Sequence, residues 1–373
     1  MENVKVENNK KSVVVGMSGG VDSSVVAYLL KKQGYDVIGL HMKNADSDSA
    51  EADAKLVHEI CEQLGAKCVV VDYADEMQKV KDYFIEEYKN GKTPNPCVVC
   101  NKIVKFKPFI EYAEKLGADY FATGHYAVIE HDENGDFLIV AKDEQKDQTY
   151  FLNQLSPEQL KKALFPLGGL DKTKVREIAK EIGLVNADKK DSQDICFLGS
   201  EKFKDFMQKN YPEKQGDIVD ELSNNVVGKH SGLNKYTIGQ RKGLGIGGGH
   251  GKTLDAWFVT KKDIKTNTLY VAQGNDDVLY SDALISENFN WITKPDLESS
   301  LECEAKFRYR QTLQSVKVES LGENKIKVVF DEKQRAITLG QFVVLYKKDN
   351  DKTYCLGGGK IDKIIKNDKI LDI

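Results

Sequence analysis

The run Gly16-Met17-Ser18-Gly19-Gly20-Val21-Asp22-Ser23-Ser24 constrains this chain more than any other. It follows a short β-branched stretch, Ser12 to Gly16, and leads into a helical pattern from Asp22 to Gln33 that Gly34 ends. Glycines let main-chain amides approach an anion, serine hydroxyls add donors, and a helix start contributes the positive end of its dipole. Strand, turn and helix together read as a phosphate cradle. No Gly-Lys-Ser/Thr follows at Walker-loop spacing, and the glycines do not fall as G-x-G-x-x-G. Two adjacent glycines alone would be only a tight turn; Ser18, Asp22, Ser23 and Ser24 in register with them favour the anion site.

A strand feeding a helix predicts a parallel sheet, and the pattern up to about Leu198 keeps alternating as that sheet requires. Strands are expected at Tyr35–Leu40, Lys67–Asp72 and Asp119–Thr123, and helices at Ala50–Leu64, Ala74–Lys89 and Lys102–Leu116. A hairpin over Val128–Val140 turns on Glu133, Asn134 and Gly135. After Ser200 one helix, Glu201–Asn210, gives way to short alternating strands punctuated by Gly, Asn and Asp. That texture suggests a small β-rich domain and then a β-barrel from about Asp282. The expected domains are 1–200, 201–281 and 282–373, a division that a chain of 373 residues allows.

Seven cysteines, an odd number scattered along the chain, do not form a secreted disulfide framework. The segment Met1–Lys11 is polar, and no apolar run approaches the ~20 residues of a membrane span, so a cytoplasmic protein is expected. A net charge of -4 argues against a chain that coats nucleic acid indiscriminately. Two stretches nevertheless lack acids: Lys92–Lys107, with Lys92, Lys102, Lys105 and Lys107, and Leu222–Leu254. Each is either a basic surface or an ordinary solvated face. Lys306-Phe307-Arg308-Tyr309-Arg310 interleaves cations with aromatics on an expected strand, a pattern suited to phosphates and bases.

Two cysteine motifs carry further chemistry. In Thr93-Pro94-Asn95-Pro96-Cys97-Val98-Val99-Cys100-Asn101-Lys102 the prolines stiffen a loop, and Cys100 is expected beside a helix start, where the dipole, Lys102 and Lys105 favour a thiolate. Asp191-Ser192-Gln193-Asp194-Ile195-Cys196-Phe197-Leu198-Gly199 supplies Cys196 in an apolar setting that by itself reads as buried.

The string S-G-G-V-D-S-S is similar to the pyrophosphatase loop of enzymes that split ATP into AMP and pyrophosphate. With both cysteine motifs and the tract Tyr236-Thr237-Ile238-Gly239-Gln240-Arg241-Lys242-Gly243-Leu244-Gly245 behind it, the chain resembles the tRNA-specific 2-thiouridylases over nearly its whole length. The resemblance implies an α/β fold: a parallel-sheet adenine-nucleotide α-hydrolase-like (pyrophosphatase-loop) domain, a small central domain and a C-terminal β-barrel. It implies an AMP-forming sulfurtransferase that adenylates the 2-oxygen of the wobble uridine and replaces it with sulfur. Gly16, Met17, Ser18, Gly19, Gly20, Val21, Asp22, Ser23, Met42 and Gly124 would hold ATP, with Asp22 placing Mg²⁺. Cys196 would bear a persulfide and Cys100 would help release its terminal sulfur. Asn95, Pro96 and Cys97 would lie against the target base, while His125, Lys146, Asp147, Gln148, Arg308, Tyr309 and Gln341 would contact the tRNA. The implied partners are a tRNA anticodon stem-loop and a cysteine desulfurase or sulfur-relay protein.

The chain departs from the family at Cys97, where many members carry Asp, and after Lys43-Asn44, where an aromatic residue is usual. Cys97 opens a second route, in which Cys97, Cys100 and Cys196 hold a [4Fe-4S] cluster. Two rivals differ in kind. One is another AMP-forming pyrophosphatase-loop ligase, although no glutaminase nucleophile motif is evident. The other is a non-enzymatic RNA-binding protein with Cys97 and Cys100 as half a zinc site, for which only the distant Cys196 offers a third ligand.

Overall fold

The computed structural model describes residues 10–43, 48–133, 135–190, 198, 201, 203–212, 214–246, 255–295 and 300–371. The chain divides into two compact units, one of Met1–Gln78, Val98–Gly199 and Asp349–Cys355, the other of Lys79–Cys97, Ser200–Lys348 and Leu356–Ile373.

In the first unit, β1 (Ser12–Gly16) is the middle of a five-stranded parallel sheet ordered β3-β2-β1-β4-β7. Its neighbours are β2 (Asp36–Lys43), β3 (Lys67–Asp72), β4 (Tyr120–Ala122) and β7 (Ala163–Leu164). Val13, Val14 and Val15 are completely buried, as a central parallel strand covered on both faces demands. Val13 lies opposite Val37 and Tyr120, and Val15 opposite Gly39 and Ala122. Helix α1 (Val21–Lys32) buries Val25, Val26 and Leu30, α2 (Asp48–Leu64) buries Val57 and Ile60, and α8 (Lys172–Glu181) buries Val175 and Ala179, all in one core. β2 and β4 flank β1 on opposite sides, so the winding reverses between β1 and β4. Such a reversal opens a crevice at the carboxyl ends of the strands, where the loops 17–20 and 123–127 lie.

Three local expectations change. β2 continues to Lys43, so Met42 lies inside the strand opposite Val71. The helix expected from Lys102 starts earlier, as α4 (Pro96–Cys100), passes through a π-helical turn (Asn101–Phe106) and ends as α5 (Lys107–Lys115). Proline suits a first helical turn because the N–H it lacks has no partner there. The strand expected through Arg310 stops at Lys306, where the chain turns: Phe307 N–H donates to Gln311 Oε1 and Gln311 N–H to Arg308 O. The hairpin of β5 (Val128–Asp132) and β6 (Gly135–Ile139) forms as expected.

The second unit begins with most of helix α3 (Ala74–Lys89), whose Phe84 packs against Phe203 and Phe206 of α9 (Phe203–Asn210). A four-stranded sheet, β10-β11-β8-β9, encloses Ile218, Val259, Leu269 and Val271. These strands are β8 (Gly216–Asp220), β9 (Val226–His230), β10 (Trp257–Asp263) and β11 (Thr268–Gln273). Antiparallel strands between Tyr280 and Ile370 form the C-terminal module around Leu284, Phe307, Val318, Val328, Val343 and Leu345. Among the described residues no helix is long and apolar enough to cross a membrane.

Gly39 is a sharp test of how tightly the sheet packs beneath the cradle. A Cβ there would stand 2.5 Å from Cys61 Sγ and 3.2 Å from Met17 Cγ. Gly39→Ala is therefore expected to lower unfolding free energy by about 1–3 kcal/mol through overpacking, measured by urea denaturation. An unchanged midpoint would contradict this packing.

Candidate active site

The β1–α1 turn is built from main-chain anchors. Met17 N–H donates to Leu40 O at 2.8 Å, and His41 Nδ1–H donates to Met17 O at 2.8 Å, so β2 holds the residue from both sides. Gly19 turns with φ +71, which its lack of a Cβ permits. Ser18 N–H donates to Ser23 Oγ, and the hydroxyls of Ser23 and Ser24 donate to Gly20 O. Asn186 Nδ2 donates to Gly19 O and Ser24 Oγ, both at 3.0 Å. Gly20 is the N-cap of α1 and supplies no side-chain acceptor, so the helix start offers its amides and dipole to an incoming anion. Gly124 closes in from the β4 side: a Cβ there would come within 3.1 Å of Asp22 Cβ and Ser23 N. The residues expected at the cradle from Gly16 to Ser23, and Gly124, are thus brought together.

Asp22 faces partners that the sequence did not reveal. Lys172 Nζ donates to both of its carboxylate oxygens, at 2.7 and 2.8 Å, and Tyr126 Oη–H donates to Oδ1 at 3.0 Å. The Lys172 ammonium also stands 5.9 Å from the Tyr126 ring centroid, over the ring. Lys172 is 150 residues from Asp22 in the chain, and nothing in its spacing marks it.

The turn at Lys146-Asp147-Gln148 braces this arrangement. Asp147 is buried and accepts from Ala141 N–H and Thr149 Oγ1–H, while Gln148 Oε1 accepts from Tyr126 N–H. Two of the residues expected on tRNA therefore direct polar groups to the protein: Gln148 to the main chain of the tyrosine that holds Asp22, and Asp147 to Ala141 and Thr149. His125 is also buried, 8% exposed, sharing a 2.7 Å hydrogen bond with Thr123 Oγ1 and stacked on Phe106. A side chain so enclosed does not present a surface contact.

Pro96 opens helix α4, Cys97 is exposed in its first turn, and Cys100 is 3% exposed at its end. The expectation that Cys100 lies beside the start of a helix at Lys102 is thereby corrected, because the helix starts six residues earlier, at Pro96, and Cys100 falls within it. Cys196 lies outside the described residues. Among those described, no three His, Cys, Asp or Glu side chains gather as a metal site. In the second unit, Arg308 Nη2 donates to Ile238 O, Ala336 O and Thr338 Oγ1, at 2.7–2.9 Å. Tyr309 is half-buried in the turn after β14 (Leu301–Lys306). Gln341 Nε2 donates to Thr93 O at 2.8 Å. Arg241 and Lys242 remain exposed on a turn anchored by buried Tyr236, Ile238 and Leu244.

A nucleotide-binding type of α/β domain followed by two β modules is the class that this architecture defines. Family models agree: a "tRNA methyl transferase HUP domain" matches residues 11–200, a "tRNA methyl transferase PRC-barrel domain" 204–273, and an "aminomethyltransferase beta-barrel domain" 281–361. The chain is 51% identical over 377 residues to the tRNA-specific 2-thiouridylase MnmA of Oceanobacillus iheyensis, covering 98% of this chain and 99% of that one. It is 51% identical over 370 residues to the protein of the same name from Staphylococcus carnosus, covering 97% and 98%. This chain belongs to the tRNA-specific 2-thiouridylase family. A U34-tRNA thiolase from Methanococcus maripaludis, with a [4Fe-4S] cluster, is 22% identical at a TM-score of 0.35 over 55% of this chain and 67% of that one, too loose a likeness to argue from.

His125 makes the interior measurable. Burial pushes its pKa well below the usual 6.5, and the nearby Lys105 charge pushes the same way. The folded state therefore holds it neutral, and its contribution to stability, present above the unfolded pKa, is lost as pH falls below about 6.5. His230, whose pKa burial also lowers, adds to the same slope. His125→Phe, which keeps a ring between Phe106 and Phe165, is expected to lose less thermal stability between pH 7.5 and 5.5 than the parent. Equal losses in calorimetry would show that His125 is not the group responsible.

Proposed function

We propose that this protein replaces the 2-oxygen of the wobble uridine of tRNA with sulfur, using ATP and releasing AMP and pyrophosphate. The observation that carries the reading is the serine- and glycine-lined start of α1, with Asp22 held beside it by Lys172 and Tyr126, in a chain of this family. Arg241 and Lys242 support an RNA substrate as exposed cations on a firmly anchored turn.

The chemistry begins with a poor leaving group, which ATP must convert into a good one. Amides of the cradle and the α1 dipole hold the pyrophosphate end, and the uracil 2-oxygen attacks the α-phosphorus. Mg²⁺ takes one or two carboxylates together with phosphate oxygens. Asp22 fits as its protein ligand, and the ion would supply charge neutralisation on the phosphates. Lys172 pairs with the same carboxylate at 2.7 Å. The uridine reaches the site from the anticodon loop, where it is already unpaired and costs little to extrude.

In the second half, the terminal sulfur of a Cys196 persulfide bonds to C2 and AMP leaves with the oxygen. Cys100 thiolate then attacks the Cys196 sulfur, breaking the S–S bond so that the terminal sulfur stays on the base as thiocarbonyl. The enzyme is left as a Cys100–Cys196 disulfide, which an external thiol reduces. A cysteine desulfurase or sulfur-relay protein would reload the persulfide. Cys97 takes the place of the family's usual Asp, beside the target base with Asn95 and Pro96.

AMP and pyrophosphate are expected to appear one for one with 2-thiouridine when undermodified tRNA, ATP, Mg²⁺ and a persulfide source are supplied, as read by nucleoside mass analysis. Asp22→Asn should lower turnover by roughly 10²-fold or more while tRNA affinity holds. Release of ADP and phosphate would overturn the scheme.

Cys97 separates the persulfide route from one that uses an iron–sulfur cluster. With the persulfide route, Cys97→Asp restores the common residue and retains substantial activity in anaerobically purified protein. Near-stoichiometric iron and acid-labile sulfide in the parent, with neither metal nor activity in Cys97→Asp, would establish the cluster instead.

A further inference from the structure

We propose that the turn Leu339–Gln341 positions the segment carrying Asn95 and Cys97, with Gln341 acting as a positioning residue through its bond to the Thr93 main chain. The functional part of this inference rests on the reading of Cys97 as a neighbour of the target base.

Lys92 N–H closes back on Glu87 O at 2.9 Å, and this ends the helical bonding of α3. From Thr93 to Pro96 the sequence is Thr-Pro-Asn-Pro, so two of its four residues have no amide hydrogen. Thr93 Oγ1 is buried without a partner among the described residues, and its side chain therefore adds no anchor. What fixes the Thr93 residue is its main chain. Thr93 N–H donates to Leu339 O at 3.0 Å, and Thr93 O accepts from Gln341 Nε2 at 2.8 Å.

The turn making these two bonds is itself firmly built. Gly340 N–H donates to Ile361 O at 3.2 Å, and Ile361 N–H donates to Gln341 O at 2.8 Å. Thr338 is buried, its hydroxyl donating to Ala336 O and accepting from Arg308 Nη2. Gly340 has φ +85, and a Cβ there would lie 3.0 Å from Lys92 Cβ and 3.2 Å from Thr93 C. The close approach of the two backbones thus needs glycine at this position. A rigid turn grips the chain at Thr93, two residues before Asn95 and four before Cys97. Gln341 is the side-chain half of that grip.

Hydrogen exchange of the full-length protein, without tRNA or ATP, tests the grip directly. Gln341→Ala, and Gln341→Glu, which keeps the shape and removes the amide donor, are compared with the parent. Both variants are expected to exchange the Thr93 and Asn95 amides about tenfold faster, the weight of roughly one net hydrogen bond. Single-turnover thiolation should slow by a similar factor, with the tRNA dissociation constant and melting midpoint unchanged. Unchanged exchange with weakened tRNA binding would overturn the proposal and make Gln341 a tRNA contact. Unchanged exchange with unchanged thiolation would overturn it as well. If Gln341→Ala fails to fold, Gln341→Glu decides. If the parent thiolates no tRNA, the proposed function fails, while the exchange comparison still passes or rejects the grip.

Discussion

The anchoring of Met17 by β2 supports the rest of the candidate site. Its amide and carbonyl are both taken by that strand, through Leu40 O and His41 Nδ1. The chain must therefore leave β1 in one direction and enter α1 within a few residues. The turn's carbonyls are occupied too: Gly19 O by Asn186, and Gly20 O by the hydroxyls of Ser23 and Ser24. The turn's own donors are spent as well, Ser18 N–H on Ser23 Oγ and Gly20 N–H on Ser18 Oγ, so it is the first turn of α1 that directs amides and the positive end of a dipole outward from the strand. Gly124 completes the site by letting the β4 loop approach the Asp22 and Ser23 backbone closely enough that a Cβ there would be 3.1 Å from Asp22 Cβ and Ser23 N.

A second consequence concerns charge. Asp22 sits where the positive end of α1 already favours a carboxylate, and Lys172 adds a full charge on the other side. The Lys172 side chain is only 12% exposed, so its ammonium has given up most of its hydration. Such a pair is costly to break from one side, because the survivor is left charged in a half-dry place. Tyr126 and, behind it, Gln148 hold the carboxylate at a defined angle. The polar turn at 146–148 thereby does mechanical work for the cradle.

In the β-rich unit, polar side chains divide between those that build the modules and those that face outward. Arg308 gives Nη2 to two carbonyls and a hydroxyl, and Gln341 gives its amide to Thr93. Arg241 and Lys242 are exposed, on a turn whose Gly239, Gly243 and Gly245 all have positive φ. A guanidinium in a motif suited to phosphate is equally suited to carbonyl oxygens, and local residue type does not decide between them.

The sequence by itself determined the parallel sheet, the glycine- and serine-rich turn that leads from its central strand into a helix, the change to β structure after Ser200 and the family. These are short-range matters: the three valines of β1, the Gly-Gly turn and the Ser-Asp-Ser-Ser register each act within one turn or strand, and local geometry makes them legible. The tertiary structure decided which groups face Asp22, since Tyr126 and Lys172 arrive from 104 and 150 residues away. It also decided that His125, Asp147, Arg308 and Gln341 spend hydrogen bonds on the protein. A side chain's direction depends on which strand or turn packs opposite it, and that information is held in the packing of distant segments rather than in the residue's own neighbours along the chain.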